Sequence, residues 1–125
     1  MKIAFACDHA GYPLKEKIKA YLKETRDFEF IDCGTNSEEA VDYPIYGKAG
    51  AEAVASGKAD LGIVCCGSGI GISIAANKVK GIRCGLCTSV EAAHMTKQHN
   101  NANMLGLPAN FISAEKALDI VHIFF

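Results

Sequence analysis

The stretch that most restricts how this chain can fold is Asp60-Leu61-Gly62-Ile63-Val64-Cys65-Cys66-Gly67-Ser68-Gly69-Ile70-Gly71-Ile72-Ser73-Ile74-Ala75-Ala76-Asn77. An apolar run of strand length meets glycines at 67, 69 and 71 and passes into small and apolar residues suited to a helix, which gives strand, glycine loop, helix. A helix start presents N–H groups without intrahelical partners and the positive end of the dipole, and glycines let a ligand or a developing anion approach that backbone closely. The loop is the candidate site, and Cys66 stands at its lip. A thiol facing a helix N-terminus has its thiolate favoured by the dipole, as a nucleophile or a proton-abstracting base requires. The spacing Gly67-x-Gly69-x-Gly71 matches neither the Walker loop, which needs Lys followed by Ser or Thr, nor the dinucleotide fingerprint with its later third glycine. Such a turn can equally serve tight packing, and the adjacent cysteine is what favours a reactive site.

A chain of 125 residues, half of them hydrophobic, can bury one good core, so a single domain over residues 1–125 is expected. Thirteen basic against fourteen acidic residues, with no Lys/Arg cluster, argue against nucleic acid as a partner. Met1 to Asp8 is too short an apolar run for a signal peptide, and no stretch approaches the roughly 18 apolar residues of a membrane span, so no membrane association and a cytoplasmic location are expected. Without an export signal the six cysteines are expected to be reduced, and Cys33, Cys65, Cys84 and Cys87 to be small buried hydrophobes. Cys84-Gly85-Leu86-Cys87 has the spacing of a redox or zinc pair, but it sits inside a strand pattern with no second ligand pair nearby. No metal site and no cofactor are expected.

The rest of the chain alternates. Lys2 to Cys7 is a strand ending in Asp8-His9-Ala10-Gly11, and the helix after it carries Leu14, Ile18, Tyr21 and Leu22 on one face. Phe28 to Cys33 is a second strand, and Asp42-Tyr43-Pro44 reads as an N-cap with proline in the first turn of a helix ending near Ser56-Gly57. The helix after the glycine loop runs to about Lys78, Ile82 to Cys87 is the fourth strand, and Thr88 with Glu91 forms a capping-box signature for a helix running toward His99. Ala102 to Leu107 is the fifth strand, and Ser113 with Glu115 opens a last helix with Ala117, Leu118, Val121 and Phe125 on one face. Five apolar strands between five helices predict an α/β fold: a five-stranded parallel, flavodoxin-like sheet of order 2-1-3-4-5 with helices on both faces. Ligands in such sheets gather beyond the carboxyl ends of the strands at the switch point, here between strands one and three, which places Asp8-His9 beside Cys66-Gly67-Ser68.

Together, Cys7-Asp8-His9-Ala10-Gly11, Asp42-Tyr43-Pro44, the run from Cys66 to Lys78, and Gln98-His99-Asn100 closely resemble the type B ribose-5-phosphate isomerases, over nearly the whole chain. The wider family includes the galactose-6-phosphate isomerase subunits; Ile72-Ser73-Ile74 and His99 favour the pentose enzyme. The resemblance implies a metal-free aldose-ketose isomerase of the pentose phosphate pathway that works through an enediolate. By it, Cys66 is the base, with a pKa that loop and helix can lower. Gly67, Ser68, Gly69 and Gly71 offer backbone N–H groups, and Ser68 a hydroxyl, to the enediolate oxygen. By the same resemblance His99 helps open the furanose ring, Asn100 holds the enediolate, Asp8 and Tyr43 bind sugar hydroxyls, and His9 contacts the phosphate.

Each residue alone also has a plain structural reading: Asp8 as a helix cap, His99 as a polar helix end, Tyr43 as a packed aromatic. Cys65 is set aside as the base because neighbouring strand residues face opposite ways and only Cys66 abuts the loop. The resemblance further implies a homodimer, or a tetramer, with the active site shared between chains; His99 at the amino end of the fifth strand lies far from Cys66 at the carboxyl end of the third. Two departures stand out. Asn110 replaces an arginine usual after the fifth strand, and the apolar finish Val121-His122-Ile123-Phe124-Phe125 is expected to lack a C-terminal tail whose arginines bind phosphate. The alternatives are a related allose or galactose 6-phosphate isomerase, a non-catalytic nucleotide, flavin or sugar-phosphate module, and an interaction protein with a weakened site.

Overall fold

Strands and helices alternate without exception in the computed structural model, which describes residues 1–125. The strands are β1 (Lys2–Cys7), β2 (Glu29–Asp32), β3 (Leu61–Cys66), β4 (Cys84–Leu86) and β5 (Met104–Pro108), and the helices are α1 (Tyr12–Thr25), α2 (Tyr43–Ala55), α3 (Ile70–Asn77), α4 (Val90–Gln98) and α5 (Ala114–Phe124). All neighbouring strands are parallel. No helix is long and apolar enough to cross a membrane.

The sheet order is β2-β1-β3-β5-β4, which corrects the expected 2-1-3-4-5 in its last two strands. Composition explains the exchange. Met104-Leu105-Gly106-Leu107-Pro108 is buried at every position and takes the interior place beside β3, whereas the three-residue β4, with Leu86 exposed, suits an edge. Right-handed crossovers then put α2 and α3 on one face and α1, α4 and α5 on the other.

The two-residue period of the strands divides the core accordingly. Ile3, Phe5, Cys7, Ile63, Cys65, Leu105 and Leu107 meet Leu14, Ile18 and Leu22 of α1 and Ile120, Val121 and Phe124 of α5. Ala4, Ala6, Val64, Cys66 and Met104 meet Ala51 and Val54 of α2 and Ile72 and Ala76 of α3. Cys65 and Cys66 thus point to opposite faces, and so do Cys87 and Cys84. The buried stripe of α5 is Ala117, Ile120, Val121 and Phe124; Leu118 and Phe125 pack at its edge.

Two helix starts differ from expectation in detail. Ser89, not Thr88, caps α4, its Oγ accepting from the Ala92 N–H at 3.0 Å, because extended backbone continues through Ser89. Asp42 is the N-cap residue of α2 but makes no side-chain cap bond. Ser113 caps α5 as expected, accepting from the Lys116 N–H at 3.1 Å.

Candidate active site

The β1/β3 register sets the first half of the site. Cys7 pairs with Cys65, and the Asp8 N–H continues the ladder by donating to the Cys65 carbonyl at 3.2 Å, so Asp8 leaves the sheet beside Cys66. Asp8 is almost fully buried, and its Oδ1 accepts the Gly11 N–H at 3.0 Å, so one carboxylate oxygen stays uncommitted. His9 Nδ1 accepts the Val41 N–H at 3.1 Å. A neutral ring in that arrangement carries its proton on Nε2 and can donate it outward.

The glycine loop is shaped from three sides. Gly69 has φ +74°, and a side chain there would strike the backbone of Leu107 and Pro108 at 2.9 Å, so β5 presses directly on the loop. The Tyr43 ring covers Gly71, with Cε1 2.8 Å from where a β-carbon would stand. Asn110 is tied to Gly67, donating its N–H to the Gly67 carbonyl at 2.9 Å, while the Ala109 N–H bonds the Cys66 carbonyl at 2.9 Å. The corrected strand order causes this last contact, since only a β5 next to β3 can bring residue 110 to the loop.

Cys66 Sγ accepts the Gly69 N–H at 3.1 Å, and Ser68 Oγ accepts the Ile70 N–H at 3.1 Å. The N–H groups of Gly67, Ser68 and Gly71 have no intramolecular partner. A sulfur held by one loop amide, with neighbouring amides free, can exchange a proton with a carbon while the loop receives charge on oxygen. Burial pushes the other thiols up: Cys65 far above its ordinary range, Cys7 and Cys87 to about 11, Cys84 to about 12, and Cys33 in the same direction.

His99 and Asn100 are not brought to this cluster. They lie exposed at the end of α4, before Met104, whereas Cys66 pairs with Pro108 at the other end of β5. Four rises of about 3.3 Å, roughly 13 Å, separate Met104 from Pro108 along the strand. Asp8, His9, Tyr43, Cys66, Gly67, Ser68, Gly69 and Gly71 therefore share the carboxyl end of the sheet, and His99 and Asn100 occupy the amino end.

The family model described as Ribose/Galactose Isomerase matches residues 3–125. The chain belongs to the ribose/galactose isomerase family. Ribose-5-phosphate isomerase B of Escherichia coli is 49% identical over 120 residues, 96% of this chain and 80% of that protein. Galactose-6-phosphate isomerase subunit LacB of Clostridium acetobutylicum is 44% identical over 99% of this chain and 71% of its own length. Among solved structures, the ribose-5-phosphate isomerase B of Clostridium thermocellum superposes with TM-score 0.97 at 52% identity, covering 99% of this chain and 83% of that one. The Mycoplasma genitalium enzyme with bound ribulose-5-phosphate gives TM-score 0.91 at 38% identity, covering 98% and 82%.

Asn110, expected only as a substitute for an arginine, is also the residue that ties the end of β5 to Gly67. A polar residue two positions beyond the apolar run Met104–Pro108 was the available signal.

Proposed function

We propose that this isomerase interconverts ribose 5-phosphate and ribulose 5-phosphate through an enediolate, with Cys66 as the base, as a step of the pentose phosphate pathway. The observation that carries this reading is the Gly69 N–H on Cys66 Sγ beside three free loop amides. In the open-chain aldose the Cys66 thiolate takes the proton from C2, and the electron pair of that C–H bond forms the C1–C2 double bond. Charge gathers on O1, where the N–H groups of Gly67, Ser68 and Gly71 and the Ser68 hydroxyl can donate. The thiol returns the proton to C1 and the O2 proton passes to O1, so O1 ends as a hydroxyl and O2 as the ketose carbonyl.

Asp8 and Tyr43 hold sugar hydroxyls, and His9 donates from Nε2 to the phosphate. Ring opening is assigned to His99, and Asn100 steadies the enediolate. Because both stand at the amino end, they serve the site of a second copy, and the site is shared within a homodimer. Exposed Ile45, Ile70 and Ile74, from the helices that flank the loop, favour such a covered face. The names of the Escherichia coli and Mycoplasma genitalium relatives favour a pentose phosphate, and the LacB relative makes galactose 6-phosphate the competing substrate.

The deciding experiment compares ribose 5-phosphate, allose 6-phosphate and galactose 6-phosphate at equal concentrations. Ribose 5-phosphate should give the highest kcat/KM. A higher value for either hexose reassigns the substrate, and turnover of none removes the reading.

A further inference from the structure

We propose that Arg83 is the positioning residue for the His99–Asn100 turn, and that it acts on catalysis only through the site to which that turn is supplied; the second part rests on the shared-site reading above. The turn has little local support. His99 is the C-cap of α4, Asn101 takes a left-handed φ of +48°, and the backbone bonds of the turn are His99 N–H to Met95, Asn101 N–H to Lys97 and Ala102 N–H to Thr96. The Asn101 N–H bond holds the nitrogen edge of the peptide that follows Asn100, and none of these bonds holds its carbonyl edge.

Arg83 does. Its Nε–H donates to the Asn100 carbonyl at 2.6 Å across 17 positions of sequence. Its backbone is clamped to the same turn from the other side: the Arg83 N–H donates to Asn103 Oδ1 at 2.8 Å, the Arg83 carbonyl accepts the Asn103 N–H at 3.0 Å, and Asn103 Nδ2 reaches the Gly81 carbonyl at 2.9 Å. Arg83 is therefore anchored at its own backbone and extends one directed donor to the turn, which holds the carbonyl edge of the 100–101 peptide opposite the Asn101 N–H bond to Lys97 and so steadies the backbone that carries the Asn100 side chain. Arg83 and Asn100 also line one cavity of about 370 Å³ with Asn77 and Thr96.

Asn100 is exposed, so water can replace the guanidinium at its carbonyl at small cost to folding. Losing the donor should loosen the turn without unfolding the sheet. Catalytic groups tolerate little misplacement, and an error of about 1 Å can cost on the order of a hundredfold in rate.

Arg83→Ala separates these expectations. The thermal midpoint should hold, backbone amide order parameters should fall at His99, Asn100 and Asn101 and nowhere in the strands, and kcat for ribose 5-phosphate should fall about tenfold with KM within about twofold. Arg83→Lys should recover part of kcat. Mixing Arg83→Ala with inactive Cys66→Ala subunits should then raise the rate per intact cysteine toward the wild-type value, because the mixed dimer joins Cys66 of one chain to a turn braced by Arg83 of the other. Unchanged order parameters, unchanged kcat, or a mixture no faster than diluted Arg83→Ala would each overturn the proposal. Absence of turnover in the unmodified protein would overturn the isomerase reading instead, and the order parameters alone would then decide whether Arg83 braces the turn.

Discussion

The two ends of the sheet hold their candidate residues by different means. At the carboxyl end the backbone itself is the scaffold: the β1/β3 register delivers Asp8 to Cys66, and the loop amides either bind the sulfur or face outward. At the amino end, His99 and Asn100 sit on an exposed turn that a distant side chain braces. A site made by backbone register draws on short motifs at strand ends, whereas one braced by a long-range side chain leaves no local pattern. The carboxyl end should accordingly fail when its reacting atom is removed, and the amino end should weaken even when only its distant brace is lost.

The largest effect tests the carboxyl end. Cys66→Ala should abolish isomerisation with the fold intact, a loss of at least about a hundredfold, since general-base catalysis alone contributes about 10²–10⁴. Cys65→Ala should keep most activity, because that thiol faces the α1/α5 layer and burial holds it protonated. Steady-state rates with circular dichroism on both variants check this; equal losses would dissolve the distinction between the two faces.

Next in size is the separation of the ends. His99→Ala and Cys66→Ala subunits, each nearly inactive, should regain up to about a quarter of wild-type activity on equal mixing, because half of the dimers are mixed and each mixed dimer holds one site with both residues intact. Verified subunit exchange without recovery would mean that one chain closes over its own cysteine.

How much was legible follows the same division. Alternation in Ile63-Val64-Cys65-Cys66 told which cysteine faces the loop, and the Gly67–Gly71 motif placed a site at a strand end. The order of the last two strands was not legible, since apolar runs say that a strand is buried but not which neighbour it takes; the fully apolar Met104–Pro108 against the short Cys84–Leu86 was the only hint. Nothing in the sequence around Lys15 marks it off from the other lysines of α1. It is completely buried, donating to Asp32 Oδ1 at 2.7 Å, the Thr35 carbonyl at 2.7 Å and Asn36 Oδ1 at 3.0 Å, partners that only the folded chain assembles.

That cluster is the one place where the carboxyl end depends on a side-chain pair. Burial alone would raise the Asp32 carboxyl, but hydrogen bonds from Lys15 and Lys19 outweigh it and hold the group below its ordinary 3.8. Its stabilisation is fully present above that ordinary value and is lost as pH falls through the lower folded-state value. Asp32→Asn should cost about 2 kcal/mol at neutral pH, Lys15 keeping its other acceptors, and the gap to the wild type should close below pH 3.8. Urea melts at several pH values measure it; a gap constant with pH would show that packing, not charge, is lost.

The smallest effect concerns long-range charge. A cavity of about 320 Å³ opens at the carboxyl end between the first turns of α1 and α5, lined by Ala10, Pro13, Asn110 and Ala114, and Lys17 supplies its cation. Lys15 and Lys19 are committed to Asp32 and Glu16, whereas Lys17 has no ion-pair partner. Its charge is exposed, so a dianion bound near His9 should feel it by no more than about 0.2–1 kcal/mol, which is roughly 1.5- to 5-fold in KM. Lys17→Ala should therefore raise KM for ribose 5-phosphate about threefold at low salt, and the difference should shrink as ionic strength rises past about 0.1 M and the Debye length falls below about 10 Å. Lys23→Ala, on the same helix but toward the amino end of the sheet, removes the same net charge and should leave KM unchanged. Equal effects from the two lysines would mean that net charge steers the substrate and that the carboxyl end holds no cation of its own for the phosphate.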